Sequence, residues 1–217
     1  MKKLRIFALA AFAAISMSAT AQVTYGNDYQ YKPEKSSSYG SDIESFSTLY
    51  FQFNPSKMRV SYDGYSASES YTGLTLGYSY SLPLLSSNPL YLEFGGAAQW
   101  FFKSHEGAKF NMIAVKIPID VMYSFDVSDA VSIQPYAGIY GRFNIMAKTK
   151  YDGETIDMFK KEDVGDPWKR FQLGWQAGCK FRFAHKITVG AGYYMDFMKI
   201  TDHTTVQGFD ITLGLNF

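Results

Sequence analysis

The chain has 217 residues, 21 Lys and Arg against 20 Asp and Glu, and one cysteine, Cys179. Balanced charge excludes a strongly basic nucleic-acid surface, and a single cysteine excludes an internal disulfide framework. Aromatic residues make up 18% of the chain, and 18 glycines accompany 17 Tyr and 18 Phe, a composition suited to pleated strands and tight turns.

Residues 1–21 read as a secretory signal peptide. Lys2, Lys3 and Arg5 precede the apolar run Ile6 to Ile15, and Ala19-Thr20-Ala21 offers a small-residue cleavage site. The run falls short of the ~20 residues a spanning helix needs, and no longer apolar run follows, so no transmembrane helix is predicted. Gln22, not a cysteine, immediately follows the cut at Ala21, which argues against a lipid-anchored lipoprotein. An exported chain of this kind can still enter a membrane as a closed β-barrel. Residues 22–42 read as a flexible N-terminal periplasmic segment, with tyrosines scattered among Gly, Ser, Lys and Pro33 without a period.

From residue 43 to 217 the chain reads as strands with one apolar and one polar face. The first runs from about Ile43 to Phe53, with Leu49, Phe51 and Phe53 on one face, and a polar loop follows to about Ser70. The second, about Tyr71 to Leu82, sets Leu74, Leu76, Tyr78, Tyr80 and Leu82 against Gly and Ser. The third, about Leu90 to Phe102, turns Leu92, Phe94, Ala98, Trp100 and Phe102 outward and Glu93 and Gln99 inward. A loop is expected at Lys103 to Lys109.

The clearest hairpin comes next. Ile113, Val115, Ile117, Ile119, Val121, Tyr123 and Phe125 form one face, a turn spans Asp126 to Ala130, and Val131 to Ile145 continues the pattern. Pro118 and Pro135 interrupt it, so a bulge, a strand end or a tolerant neighbour is expected there. A charged loop follows from about Ala147 to Pro167. A sixth strand, about Trp168 to Phe183, then turns at Ala184-His185 into a seventh, about Lys186 to Ile200. After a loop at Thr201 to Gln207, the last strand alternates Phe209, Ile211, Leu213, Leu215 and Phe217 with Gly208, Asp210, Thr212, Gly214 and Asn216.

About eight strands of this length cover the roughly 9–11 residues a tilted membrane strand requires. Connections alternate short and long, and aromatics gather near strand ends: Trp100, Phe101, Phe102 and Phe110 toward one rim, Tyr123, Phe125, Phe183 and Phe217 toward the other. Both features fit a barrel with two interfacial girdles and both termini in the periplasm. Charge decides the matter. Glu93, Lys116, Asp120, Arg142, Arg170, Lys180, Arg182, Asp196 and Asp210 all fall opposite the apolar face, where a lumen can hold them in a network and lipid cannot. The predicted fold is all-β: a closed antiparallel up-and-down transmembrane β-barrel of about eight strands, its last strand pairing with its first.

The signal peptide, the alternating strands and the closing strand ending in Phe217 resemble the small outer-membrane β-barrel domain family, in the style of the Bacteroidota proteins and more broadly of OmpX and OmpA. The resemblance implies location in the cell outer membrane. It also implies that Phe217, Leu215 and Leu213 form a C-terminal insertion signal read by the barrel-assembly machinery.

Signals for chemistry are thin. The chain holds no phosphate-binding glycine loop, no His-Glu-x-x-His and no Gly-x-Ser-x-Gly. No catalytic, cofactor-binding or metal residues are expected, and no nucleic-acid partner. Some small outer-membrane barrels modify lipid A through a rim histidine. His105 beside Glu106 and His203 beside Asp202 are the residues such a reading would use, with no serine placed to complete a trio. An eight-stranded barrel is wide enough only for side chains to fill it, so large inward groups such as Tyr136, Tyr140, Arg142 and Lys116 should occlude an open pore. The leading expectation is a non-enzymatic barrel. It would act through surface loops, chiefly Ala147 to Pro167, in adhesion or partner binding, or serve an envelope or secretion machine. A lipid A-modifying enzyme and a narrow channel or transporter are the alternatives. Outer-membrane lipid and lipopolysaccharide, whose phosphates the loop lysines can meet, and a surface or envelope protein are the expected partners.

Overall fold

A computed structural model describes residues 43–217 apart from 63, 64, 106 and 202. The signal peptide and the periplasmic segment expected at 1–42 lie outside the described residues. Ten strands follow in order: β1 Phe46–Tyr62, β2 Tyr65–Leu85, β3 Asn88–His105, β4 Ala108–Tyr123, β5 Phe125–Ser128, β6 Val131–Tyr151, β7 Glu154–Asp157, β8 Phe171–Phe183, β9 Ile187–Asp196 and β10 Thr204–Asn216. A short helical turn, α1 Lys161–Val164, lies between β7 and β8.

Eight strands pair in the ring β1-β2-β3-β4-β6-β8-β9-β10, all antiparallel, and β10 returns to β1. The short β5 and β7 add to β6 outside that ring. Closure leaves no sheet edge within the ring, which is the condition for placing strands in hydrocarbon. The connections β2–β3, β4–β5–β6 and β8–β9 lie at one end, the turn end; β1–β2, β3–β4, residues 152–170 and residues 197–203 lie at the other, the loop end.

Alternation sets the two faces. Along β10, Phe209, Ile211, Leu213, Leu215 and the following Phe217 stand exposed, while Asp210, Thr212 and Asn216 are buried inside. The same holds on β4, where Val115, Ile117, Ile119 and Val121 face out and Ala114, Lys116, Asp120 and Met122 face in. An exterior of exposed large apolar side chains around a polar interior inverts a soluble protein and suits lipid.

Three stretches read as loops are strand. Residues 56–62 pair with 65–71 in one ladder, His105 pairs with Ala108, and β6 continues through Tyr151. Toward the tips both faces are exposed, residues 66–70 throughout, so the hydrophobic alternation fades while the hydrogen-bond register persists. The long loop predicted after the first strand is therefore two residues, and the one after the third is 106–107. Gly107 takes φ +82°, and Asp152-Gly153 takes φ +46° and +84°, the conformation a two-residue hairpin turn demands. At the turn end Ala184 and His185 turn the chain with φ +46° and +58°.

The prolines are absorbed without a bulge. Pro135 keeps its place opposite Cys179 on β8. Pro118 pairs with Tyr140 on β6, while its other neighbour, β3, drops out of register pairing at Gly95 and Gly96. A missing N–H is tolerated where the partner strand is locally released.

Candidate functional site: the lumen and the capped mouth

The polar face of each strand points inward, and side chains fill the space in layers. Toward the turn end the Lys180 ammonium meets Glu93 Oε1 at 2.5 Å, and Ser81 donates to the other Glu93 oxygen at 3.3 Å. Gln176 donates to Asp120 at 2.7 Å, Gln52 to Thr212 at 3.0 Å, and Tyr136 to Asp210 at 3.4 Å. Higher up, the Arg142 guanidinium meets Asp196 at 2.5 Å, and Tyr140 donates to the same carboxylate at 2.6 Å. The Lys116 ammonium lies over the Tyr140 ring at 4.3 Å and the Tyr194 ring at 5.2 Å. At the turn end Arg182 stacks on Phe46 at 4.4 Å.

Four acids (Glu93, Asp120, Asp196, Asp210) thus share the lumen with four bases (Lys116, Arg142, Lys180, Arg182). Equal numbers leave the interior neutral: Arg142–Asp196 and Lys180–Glu93 are direct ion pairs, Asp120 and Asp210 accept from neutral side chains, and Lys116 and Arg182 lie over aromatic rings. The ninth residue assigned to this network behaves otherwise. Arg170 precedes β8 and is exposed; its guanidinium donates to the main-chain carbonyl of Ile145 at 3.0 Å and stacks on Phe159 at 4.0 Å.

Close packing needs room beside each inward ring. Five aromatic side chains lie directly opposite a glycine on the next strand: Tyr50 opposite Gly77, Phe101 opposite Gly73, Tyr140 opposite Gly174, Tyr136 opposite Gly178 and Tyr194 opposite Gly208. A Cβ at any of the five would run into that ring or its hydroxyl. The central space left between Glu93, Lys116, Asp120 and Lys180 is about 20 Å³, room for about one water.

Above the charged layers the interior turns apolar. Tyr71, Phe101, Met112, Tyr140, Ala147, Tyr194, Ile200 and Val206 form one buried cluster. Phe101, placed by its sequence neighbours in a lipid-facing girdle, is fully buried here, and Phe110 packs against the same cluster. The outer girdle at this end is carried by Trp100 and Phe102, whose rings lie 4.8 Å apart; Tyr123, Phe125, Phe183 and Phe217 mark the other end.

Residues 152–170 fold over the cluster as a cap. Met158 N–H donates to Ala147 O, Trp168 N–H to Met158 O and Lys169 N–H to Ile200 O, at 3.0, 2.8 and 2.8 Å. Met158, Phe159 and Trp168 press on the cluster, with Trp168 5.8 Å from the Phe110 ring. These three apolar residues were the available signal in a stretch dominated by charge.

The remaining marked residues lie apart from this interior. His105 ends β3 and His203 sits in the β9–β10 connection, both exposed; Glu106 and Asp202 beside them lie outside the described residues. His185 is exposed in its turn, and Cys179 is half-buried on β8. Among the described residues no group of three or more His, Cys, Asp or Glu is arranged to hold a metal ion. Phe217, Leu215 and Leu213 stand exposed along the outside of the closing strand.

The family model of the outer membrane protein beta-barrel domain matches residues 7–202. Among solved structures, Ail, the attachment invasion locus protein of Yersinia pestis, is similar with a TM-score of 0.50 and 17% identity, covering 80% of this chain and 99% of that one. The outer membrane enzyme PagL gives 0.49 and 13%, covering 77% and 97%. Neisserial surface protein A gives 0.44 and 17%, covering 77% and 95%. At 17% identity the likeness to Ail speaks for the fold alone. No curated protein matches by sequence. With a family match over most of its length and a closed eight-stranded ring that is apolar outside and charged within, the chain belongs to the outer membrane protein beta-barrel domain family and is integral to the outer membrane.

Proposed function

We propose that the protein is a non-enzymatic barrel that acts through what it holds above the membrane at its loop end, binding a surface or envelope protein partner or mediating adhesion. One observation carries this reading. The lumen is filled by charged and aromatic side chains and closed again by the 152–170 cap, while the β1–β2, β3–β4 and β6–β7 hairpins run on past the apolar belt. A strand needs roughly 9–11 residues to cross, and β1, β2 and β6 have 17, 21 and 21, so each carries several residues of ladder into water. Such rigid, polar, paired strands make a binding platform rather than a conduit. In this reading both termini and the turn end face the periplasm, the loop end faces outward, and Phe217, Leu215 and Leu213 engage the barrel-assembly machinery during insertion.

The test is attachment by cells displaying the protein. Replacing residues 159–167 with a Gly-Ser spacer, or exchanging the tips of the β1–β2 and β3–β4 hairpins, should lower cell–cell or cell–surface attachment while the barrel still shifts on a gel after heating. Attachment unchanged in every variant would overturn the proposal. The competing lipid A-modifying reading, built on His105 or His203, expects an altered lipid A profile on deletion of the gene; the expectation here is an unaltered one.

A further inference from the structure

On the outer face, near the loop end, one row of side chains runs across five adjacent strands: Phe102, Thr72, Pro55, Phe209 and Tyr193. Thr72 pairs with Phe102 and with Pro55, and Phe209 pairs with Tyr193. Pairing of Phe53 with Ile211 and Ser56 with Gly208 sets Pro55 opposite Phe209, although the β1–β10 ladder itself skips Asn54 and Pro55. A proline has no N–H to give the ladder, so the interruption follows from sequence. The row is thus large, small, small, large, large, and its middle is hollow.

That hollow is a groove of about 620 Å³, within the roughly 300–1,000 Å³ of ligand sites. Phe102, braced by Trp100, forms one wall; Phe209, edge-on to Tyr193 at 5.3 Å, forms the other. The row below is wholly apolar: Trp100, Leu74, Phe53, Ile211. The row above is polar over the groove, with Ser70, Lys57 and Gln207, and ends in Met195 on β9. Successive same-face residues on a strand are about 6.6 Å apart, so the groove sits where acyl chains give way to headgroups, with the Lys57 ammonium just above.

Charge fits that depth. Lys57 lines the groove and is exposed, Arg59 follows on the same face, and neither has an ion pair among the described residues. Lys103 also borders the groove, but Glu69 meets its ammonium at 2.7 Å, so that charge is already answered. An annular lipid slides over a smooth wall; a concavity between two aromatic walls with an unpaired cation at its upper lip holds one lipid in place.

We propose that this groove binds a phosphorylated outer-leaflet glycolipid of the lipopolysaccharide class, one acyl chain over Thr72 and Pro55 between Phe102 and Phe209, a phosphate against Lys57. The choice of leaflet rests on the proposed orientation with the loop end outward.

The protein, extracted from outer membranes in mild detergent, is assayed for bound lipopolysaccharide by native mass spectrometry and by phosphorus per barrel. Wild type should retain about one phosphorylated glycolipid. Thr72→Trp fills the groove from the lipid side and Lys57→Gln removes the cation; each should lower retention about fivefold or more, as loss of a charge-assisted or shape-fitting contact implies. Lys150→Gln, on β6, is the control and should retain the wild-type amount. Equal retention in all four proteins, or displacement by inorganic phosphate as readily as by lipopolysaccharide, would overturn the site. Selective retention of phosphatidylglycerol from mixed vesicles would overturn the glycolipid assignment. A tag inserted between residues 63 and 64 reports orientation separately: a periplasmic tag sinks the leaflet, and the functional reading with it, whatever the lipid result.

Discussion

The guanidinium of Arg142 on β6 reaches past β8 to Asp196 on β9, and the two groups meet at 2.5 Å with almost no exposure to water. Neither strand pairs with the other, so this contact ties together walls that the ladder does not. Tyr140 donates to the same carboxylate, leaving Asp196 served from two sides.

Removing one member should therefore cost more than removing both. Arg142→Met leaves a buried carboxylate uncompensated and should destabilise the barrel by about 3–5 kcal/mol, whereas Arg142→Met with Asp196→Leu should recover most of that. Urea unfolding in lipid vesicles, followed by tryptophan fluorescence, reads the difference. A double variant as unstable as the single would show that the pair is not the origin of the loss.

The aromatic–glycine pairs make a second expectation. At Gly174 a methyl group has nowhere to go but into the Tyr140 ring and hydroxyl, which are already committed to Asp196. Gly174→Ala should cost about 1–3 kcal/mol, the usual range for overpacking. Gly141, whose Cβ would meet only the edge of Phe171 and Leu173 at 3.6–4.0 Å, should accept Ala with little change. The same unfolding assay compares the two.

A charge on the closing strand separates its faces. Leu213→Arg puts a cation in lipid and should cost about 2–4 kcal/mol near the midplane, seen as loss of heat-modifiable protein from the outer membrane. Thr212→Ala, on the lumen side, withdraws a partner from Gln52 and should leave insertion intact. If the two variants insert equally, the exterior assignment of Leu213 is wrong.

Closure by two independent seals bears on transport. Wild-type protein in planar bilayers should show no discrete conductance steps. Deleting residues 158–168 should leave the recording silent as well, because the charged layers fill the lumen without the cap. Steps in the deletion variant would make the cap a gate.

The membrane-spanning part of this fold is legible because lipid on one side and packed charge on the other impose a strict period of two. Ile113 to Phe125 and Phe209 to Phe217 show it plainly. The hairpin tips are not legible in that way: residues 59–60 and 66–70 are exposed on both faces, so a paired strand looks like a loop. Phe101 shows a different limit. It lies between Trp100 and Phe102, and residue type does not distinguish the aromatic turned inward from the two turned outward; parity along β3 does. Arg170 fails for the converse reason, because parity counted back from Leu173 has no meaning before β8 begins at Phe171. Tyr50 and Tyr194 acquire their place from Gly77 and Gly208, distant glycines that only the register brings opposite.

Thr48 donates to Asn216 across 168 residues of chain, and Ser47 and Phe217 exchange main-chain hydrogen bonds at 2.8 and 3.0 Å. Until that seam is made, β1 and β10 each present a bare row of N–H and C=O groups, an invitation to pair with any other unfinished strand. Joining ends so far apart carries a loop-closure cost that every earlier hairpin escapes, so the seam should be the slow step of assembly. Before the seam closes the molecule is thus an open ribbon with two adhesive margins. Its safe passage depends less on the stability of the finished cylinder than on how briefly those margins stay bare.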